Sequence, residues 1–402
     1  MRIPNWLSQV GITGLVRAYL IAAGILGSLM LTWTISIEER GEYYLIIASL
    51  GLAAQIAAFG LPSSNTYFFH VRPDFRGTLY PNSLACALLF GVLSAIAAVF
   101  YVAPRLNYVP VYVMAIFLIC AVPSRVLEML SQGLITAREN FPLFNLNTFT
   151  FSALQVLGIA ACWQFNASIE VFFGVSAVIL MLSCIHLAKS LVPDSTALSV
   201  SLFKDSFSYA FRAFVVGSLG FLFTRLGVFL IAEFDTPQSL GVFSVSNQLA
   251  EMMLVVPQTL ALILFPRILR LKSGYFSSEV MLSIMIVLLV FGLVGLVFTF
   301  FGTYLVSISF GESYSSSAMI FVWMLPGVFF LSVATIFSQR FAAAGMPYFL
   351  IFVWLIACSL YVLTFVLTFE KLGVLSVGLG YGLSGLYLMV SLIYFSYLAR
   401  RD

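Results

Sequence analysis

Six ionisable side chains interrupt stretches of sequence that are otherwise almost entirely apolar. They are Arg17, Arg125, Glu128, Arg212, Arg225 and Glu251. A guanidinium keeps its charge at any physiological pH, and its fork of N–H donors matches the oxygens of a phosphate or a carboxylate. A carboxylate in the same surroundings can balance that charge or carry a proton. The residue types therefore indicate anion binding, proton transfer or internal charge balance.

The spacing of these residues places several of them on shared helical faces. Arg125, Glu128 and Gln132 follow i, i+3, i+7 spacing and lie on one face of a helix. This face either holds an ion pair that neutralises itself or lines a hydrated cavity. Asn247 and Glu251 are separated by four residues and share a face in the same way.

The remaining arginines allow two readings each. Arg17 and Arg212 lie early in two apolar segments, where they either reach back to the membrane interface or act as a pair. Arg225 follows Arg212 by thirteen residues, which is about 220° around a helix. The two can face one cavity only if the helix bends at Gly217 or Gly220. Otherwise Arg225 reaches the outer interface.

Residues for catalysis are scarce. His70 and His186 are the only histidines, and the sequence has no GxSxG, HExxH, CxxC or P-loop pattern. We interpret the acidic cluster of Glu38, Glu39 and Glu42 as a solvated helix boundary. A membrane-embedded enzyme is therefore disfavoured, and we expect neither a metal ion nor a cofactor.

Membrane helices must position these side chains, because the composition excludes a soluble fold. Of the 402 residues, 61% are hydrophobic and 9% charged, whereas soluble domains carry roughly 25% charged residues. About twenty apolar residues cross the hydrocarbon core as a helix. The formal net charge of +3 gives no basis for a nucleic acid partner. The hydropathy pattern predicts twelve spans, at residues 11–37, 41–70, 79–103, 110–137, 142–164, 168–189, 206–232, 238–266, 278–302, 315–343, 347–369 and 373–398.

The basic residues between the spans predict the orientation of the chain. Twelve Lys and Arg residues lie in the tails and in the connections that follow spans 2, 4, 6, 8 and 10. The opposite connections hold only Arg40, Arg105 and Lys371. Because basic connections stay in the cytoplasm, we expect both termini to be cytoplasmic.

The two halves of the chain show parallel features. Gly41 and Gly241 open spans 2 and 8, and Ser-Gln pairs begin at Ser131 and Ser338 near the ends of spans 4 and 10. The same four spans each contain a proline, which serves either as an ordinary kink or as a bending point. These prolines are Pro62, Pro123, Pro257 and Pro326.

These features predict an all-α polytopic membrane protein with twelve transmembrane helices. Two six-helix lobes would be related by a parallel pseudo-two-fold repeat and would enclose a central cavity. The predicted N-lobe covers residues 1–190, the cytoplasmic linker 191–205, and the C-lobe 206–402.

Three segments of the chain resemble the second, seventh and tenth spans of O-antigen and polysaccharide flippases of the Wzx type. These segments are residues 39–44 (ERGEYY) through 59–61 (FGL), 217–221 (GSLGF) through 225–231 (RLGVFLI), and 325–327 (LPG) with 343–347 (AAGMP). Such flippases belong to the multidrug/oligosaccharidyl-lipid/polysaccharide (MOP) exporter superfamily, with multidrug antiporters and lipid II flippases. Relatives often place an acid where Gly227 stands, so a role tied to that acid does not transfer.

The resemblance implies alternating access by two lobes that carry a polyprenyl-diphosphate-linked oligosaccharide across the bacterial inner membrane. The cargo would be an O-antigen (lipopolysaccharide), capsule or exopolysaccharide unit on undecaprenyl diphosphate, and a polymerase and chain-length proteins of the pathway would be further partners. The implied substrate contacts are Arg17, Arg125, Arg212, Arg225, Gln132 and Asn247. Glu128 and Glu251 would carry coupling protons or balance charge. The alternative is a proton- or sodium-coupled multidrug antiporter.

The orientation can be checked with two engineered cysteines in a chain whose native cysteines are replaced. Ser313→Cys, in a predicted outer connection, should react with a membrane-impermeant maleimide on intact cells. Ser273→Cys, in a predicted cytoplasmic connection, should react only after the membrane is opened. The reverse pattern would contradict cytoplasmic termini.

Overall fold

The computed structural model describes the backbone of residues 5–191, 200–271, 278–343 and 347–398. Within these ranges the chain forms thirteen α-helices, joined by short turns of 3₁₀-helix, and no strand. The helices are α1 (Asn5–Thr32), α2 (Ile37–Ala57), α3 (Leu61–Val71), α4 (Arg76–Val102), α5 (Val111–Ala137), α6 (Phe141–Gln164), α7 (Ile169–Leu191), α8 (Val200–Phe234), α9 (Pro237–Leu271), α10 (Ser278–Phe310), α11 (Ser317–Ala343), α12 (Phe349–Leu372) and α13 (Ser376–Leu398).

Each predicted span corresponds to one helix, except that the second span comprises α2 and α3. Nine stretches in the described residues are long and apolar enough to cross a membrane, or ten with the bent pair of α2 and α3. One of them, Phe349–Leu398, contains both α12 and α13, while α1 contributes the shorter apolar helix Tyr19–Thr32. The prediction of an all-helical, multi-pass membrane protein is confirmed.

The break in the second span is a defined joint. The helix axes of α2 and α3 differ by 46°. Phe59 and Gly60 both have positive φ, at 46° and 68°, and Pro62 occupies the first turn of α3. A Cβ on Gly60 would collide with the backbone of α8 at Ala210 and Phe214. The close approach and the left-handed backbone both require glycine at this position.

The other three prolines lie inside continuous helices. Pro123 and Pro326 fall within α5 and α11, and Pro257 falls within the bounds of α9. A helical proline removes one backbone hydrogen bond, and such a loss is tolerated in membrane helices. That these three prolines serve as bending points stays a prediction.

The chain separates into two compact units, Met1–Phe221 and Leu222–Asp402, and the division falls inside α8. In the first unit α5 packs against α4 and α7, and α6 packs against α1. In the second, α11 packs against α9 and α13, and α12 packs against α13. The predicted lobe boundaries stay a prediction, and residues 192–199 of the predicted linker lie outside the described residues.

The acidic residue Glu42 contradicts our interpretation of the cluster around it. Its side chain lies in the second turn of α2 and the residue is only 1% exposed. Its carboxylate accepts hydrogen bonds from the backbone N–H groups of Asn107 (2.5 Å), Tyr108 (3.0 Å) and Val109 (2.7 Å). Glu42 is therefore a buried structural group that fixes the connection leading into α5. The expectation of a solvated helix boundary is wrong for this residue because its partners lie some 65 residues away in sequence.

The neighbouring residues at this end of the bundle are also ordered by specific contacts. Ser36 and Glu39 form a capping box at the start of α2. The buried Arg40 guanidinium donates to the Ser28 carbonyl (3.1 Å) and hydroxyl (2.8 Å) on α1. These bonds satisfy helix ends that would otherwise leave polar groups unpaired.

Removing the acceptor capacity of Glu42 should destabilise the protein. Glu42→Gln replaces one carboxylate oxygen by an amide that faces backbone donors, and we expect a loss of about 2 kcal/mol in the free energy of unfolding. Thermal unfolding in detergent, followed by tryptophan fluorescence, measures the effect. Glu38→Gln removes the same charge one helical turn earlier and should change stability little. Equal losses for both variants would contradict the assigned role.

Candidate functional site

Helix α5 brings Arg125, Glu128 and Gln132 to one cavity, on the shared helical face that their spacing predicted. The cavity has a volume of about 360 Å³ and lies inside the first compact unit. Side chains from α1, α5, α6 and α7 line it. This volume falls within the range of about 300–1,000 Å³ that is typical of small-molecule sites.

The Arg125–Glu128 pair combines the two alternatives that the sequence left open. The Arg125 Nη1 to Glu128 Oε2 distance is 2.5 Å, so the two side chains form an ion pair along the helix. The Glu128 side chain is 9% exposed, whereas that of Arg125 is 45% exposed. Among the described residues Glu128 is the one hydrogen-bond acceptor that Arg125 contacts. Because a guanidinium has five N–H donors, most of its donor capacity remains available at the cavity.

A chain of hydrogen bonds across three helices holds Glu128 in place. The Ser183 hydroxyl on α7 donates to Glu128 Oε1 at 2.8 Å. Asn147 on α6 donates from Nδ2 to the Ser183 Oγ at 3.0 Å. The Asn147 Oδ1 lies 2.8 Å from His186 Nδ1, which donates in this amide orientation. The donors therefore point along the chain of hydrogen bonds towards the carboxylate, whose Oε1 accepts the last of them.

His186 is a site residue that sequence reasoning missed. Its position near one end of a span gave no reason to connect it with Glu128. The i, i+3 spacing of Ser183 and His186 was the available signal, because it places both on one face of α7. Their shared partner Asn147 lies 36 and 39 residues earlier, and only the folded bundle brings these groups together.

A second ion pair lies in the unit that begins at Leu222. Arg225 on α8 contacts Glu251 on α9 through both terminal nitrogens, with Nη1–Oε1 at 2.5 Å and Nη2–Oε2 at 3.0 Å. Asn247 donates to the same carboxylate at 2.5 Å, as expected from its spacing. The pairing of Arg225 with Glu251 was not predicted, since the two residues lie 26 positions apart.

The two ion pairs differ in how many of the arginine's N–H donors contact the carboxylate. Both terminal nitrogens of Arg225 contact Glu251, and the Arg225 side chain is 19% exposed. Arg125 contacts its carboxylate through one nitrogen and is more than twice as exposed. A bidentate pair has specific geometry and is stronger than a single contact. Arg225 therefore uses more of its N–H donors on its counter-ion, and Arg125 keeps more of them available for a ligand.

The other two predicted arginines, Arg17 and Arg212, lie on α1 and α8. Arg212 is half-buried on α8 and makes interactions of its own. The backbone of Arg17 lies in α1, but its side chain lies outside the described residues. Since the two acids pair with Arg125 and Arg225, Arg17 and Arg212 account for the excess of four arginines over two acids among the six ionisable residues.

The described residues also bear on metal binding. No group of three or more His, Cys, Asp or Glu side chains that could hold a metal ion occurs in this part of the chain. The polar groups at the cavity beside Arg125 are one ion pair, amides and hydroxyls.

Comparison with known sequences gives a match to one family model. The model is described as "Polysaccharide biosynthesis protein" and matches residues 7–272, about two thirds of the chain. No curated protein gives a significant match to the sequence.

Comparison with solved structures gives matches over almost the whole chain. The lipid II flippase MurJ, in an inward closed conformation, is 12% identical and matches with a TM-score of 0.77, covering 95% of this chain and 86% of MurJ. The MATE multidrug transporter DinF-BH is 12% identical at a TM-score of 0.68, with coverage of 99% and 96%. The eukaryotic MATE transporter AtDTX14 is 12% identical at a TM-score of 0.65, with coverage of 98% and 97%. These likenesses confirm the predicted fold class of twelve transmembrane helices in two lobes.

The Arg225–Glu251 pair should show strong energetic coupling. Arg225→Met or Glu251→Gln alone leaves a charged group without its counter-ion, and each should cost about 3 kcal/mol in the free energy of unfolding. The double variant should recover about 1–2 kcal/mol relative to the sum of the single losses. Thermal unfolding in detergent measures all three variants.

The exposed Arg72–Asp74 pair provides the matched control for this cycle. Its side chains lie 3.1 Å apart and are 42% and 58% exposed. Because solvent screens such pairs, the same cycle with Arg72→Met and Asp74→Asn should give a coupling of about 0.5 kcal/mol or less. Strictly additive losses at Arg225 and Glu251 would contradict a tight pair.

Proposed function

Because the chain belongs to the polysaccharide biosynthesis protein family and to the MOP superfamily, we propose that it is a flippase for a polyprenyl-diphosphate-linked oligosaccharide. The cargo would be an O-antigen, capsule or exopolysaccharide unit on undecaprenyl diphosphate. It would move from the cytoplasmic to the outer leaflet of the bacterial inner membrane by alternating access. The likeness of the fold to that of a lipid II flippase supports this proposal.

The observation that carries the proposal is the half-exposed guanidinium of Arg125 at a cavity within a membrane bundle. An arginine at the centre of a bilayer costs about 2.5–3.5 kcal/mol on insertion scales, and such a residue marks a functional site by default. The Arg125 side chain is 45% exposed at this position, and one nitrogen contacts Glu128. The remaining donors match the oxygens of a diphosphate. Arg125 is therefore the first phosphate contact in the proposed mechanism.

The other predicted contacts take supporting roles in the proposal. Gln132 lines the same cavity as Arg125 and can donate to a phosphate or a sugar. Arg17 and Arg212 supply further positive charge along the pathway. Arg225 and Asn247 would bind phosphate only after leaving Glu251, so we assign these three residues to charge balance or coupling.

Glu128 has a position that suits charge balance in the empty cavity. Arg125 and Ser183 donate to separate oxygens of the carboxylate, which therefore has partners for both oxygens. When a diphosphate approaches Arg125, it competes with Glu128 for the same guanidinium. Such competition would couple cargo binding to the charge state of Glu128, in one of the two roles predicted for it.

Removal of the Arg125 guanidinium should slow flipping strongly while the chain still folds. Purified protein is reconstituted in liposomes that contain undecaprenyl-diphosphate-linked oligosaccharide, and leaflet exposure is followed with a membrane-impermeant sugar-oxidising reagent. Arg125→Gln should lower the initial rate more than tenfold, which corresponds to a rise of about 1.4 kcal/mol or more in the activation free energy of flipping. The rate of Arg125→Lys should lie between those of the wild-type chain and Arg125→Gln, because lysine keeps the positive charge but loses the planar pair of N–H donors.

Lys371→Gln provides the matched loss of one positive charge. Lys371 lies at the end of α12, outside the cavity, and its removal should leave the rate unchanged. Unchanged flipping after neutralisation of Arg17, Arg125 and Arg212 together would contradict the assignment of cargo contacts.

A second candidate function is proton- or sodium-coupled multidrug antiport, which the similarity to MATE folds favours. In that case dye efflux would depend on Glu128 or Glu251, and polysaccharide export would be indifferent to loss of the protein. The absence of dye efflux together with sugar-lipid flipping separates the two candidates.

A further inference from the structure

We propose that one face of helix α6 recognises the sugar attached to the diphosphate, and that this face selects an uncharged sugar. The inference rests on the proposed flippase function and assigns residues that the family resemblance did not. The face consists of Phe144, Asn147, Thr148, Phe151, Ser152 and Gln155, all of which line the cavity. These residues recur every three or four positions along α6, as one helical face requires.

The face runs along the same cavity that Arg125 and Glu128 line. From Phe144 to Gln155 the helix rises by about 16 Å. Asn147 connects this face to Glu128 through Ser183, so the charged group and the polar face meet at that point. A diphosphate at Arg125 would therefore place its attached group along α6.

Three polar side chains retain hydrogen-bonding capacity for a ligand. Gln132 and Ser152 make no side-chain hydrogen bond to another described residue. Gln155 donates one N–H to the Ser176 hydroxyl at 2.7 Å, which leaves its carbonyl oxygen and second N–H available. Amides and hydroxyls both donate and accept, as sugar hydroxyls do.

The aromatic members of the face complement these groups. Phe144 and Phe151 lie between the polar residues along the helix and line the same cavity. The face of an aromatic ring carries partial negative charge, which attracts the electron-poor C–H groups on one side of a sugar ring. Rings that alternate with amides and hydroxyls can thus contact both the apolar and the polar surfaces of a pyranose.

The absence of charge along α6 determines the class of sugar. Helix α6 contains no Asp, Glu, Lys, Arg or His in its sequence. Among the residues whose side chains the structure describes, Arg125 and Glu128 are the charged ones that line the cavity, and the diphosphate would occupy Arg125. An acidic sugar on this face would bring a second carboxylate next to Glu128, and the described lining residues offer no cation besides Arg125 to pair with it, which is unfavourable in a poorly solvated site. The face therefore favours a neutral hexose or N-acetylhexosamine.

The experiment compares three lipids on the full-length chain in nanodiscs. The probes are undecaprenyl diphosphate, the same lipid with one N-acetylhexosamine, and the same lipid with one hexuronic acid. Dissociation constants are measured by native mass spectrometry. The wild-type chain should bind the N-acetylhexosamine lipid about tenfold more tightly than the bare lipid, as one or two added hydrogen bonds would give. The hexuronic acid should give no such gain.

Variants of α6 should remove the sugar-dependent gain and leave affinity for the bare lipid unchanged. Ser152→Ala combined with Gln155→Leu removes the available polar groups, and Phe151→Leu removes the ring but keeps an apolar side chain. Thr150→Val is the matched control, because Thr150 lies on the same helix but does not line the cavity. Gel filtration and melting temperature report whether each variant is folded.

The outcomes separate this inference from the proposed function. Retention of the tenfold gain in the Phe151 and Ser152/Gln155 variants would overturn the assignment to α6. Tight binding of the hexuronic acid lipid would overturn selection for an uncharged sugar. In both cases binding of the bare lipid would leave the flippase proposal standing. Failure of all three lipids to bind the wild-type chain would overturn the flippase proposal and this inference together.

Discussion

A charged side chain inside a hydrocarbon layer must have a counter-ion, a hydrogen-bond partner or water, and this requirement organises the ionisable groups of the bundle. Glu128 meets it with Arg125 and Ser183, and Glu251 meets it with Arg225 and Asn247. Six unpaired charges, at about 3 kcal/mol each, would together cost about 18 kcal/mol, which exceeds a typical net stability of about 5–15 kcal/mol. The contacts of each charge therefore indicate what remains available for a ligand.

Carboxylates in this chain have different roles according to the donors around them. Glu42 accepts only backbone N–H groups and joins the start of α2 to the connection before α5, so its role is structural. Glu251 is held by a bidentate arginine and an amide. Glu128 is held by an arginine that keeps most of its donors at a cavity. Residue type is the same in all three cases, and the surrounding donors determine the difference.

Sequence analysis could predict the features that depend on local pattern. Long apolar runs set the helices, since a membrane span must satisfy its own backbone, and the predicted spans agree with the observed helices. Helical spacing placed Arg125, Glu128 and Gln132 on one face of α5, and Asn247 on the same face of α9 as Glu251. These predictions need only the periodicity of one helix, which the sequence contains directly.

The features that were missed depend on contacts between helices. Arg225 meets Glu251, and His186 joins Asn147, only because separate helices pack side by side. The break before Pro62 was predicted only as a proline, whereas the bend uses Phe59 and Gly60 in left-handed conformations. No pattern within a single segment specifies such pairings, since they arise from tertiary packing.

The single contact between Arg125 and Glu128 also bears on release of the cargo, which transport requires as much as binding. A guanidinium without any partner would bind an anion tightly, because release of the anion would leave the arginine charge unpaired again, and that state is unfavourable. Glu128 stabilises the empty state, so it lowers the net affinity for an incoming phosphate without removing the N–H donors that select it. Sites that pass a ligand onward need binding that is favourable enough for entry and weak enough for exit. Arg225 lies at the other extreme, because its bidentate partner must be displaced before any anion can bind. In the proposed mechanism, the difference in how each acid holds its arginine therefore determines which of the two arginines can exchange a cargo.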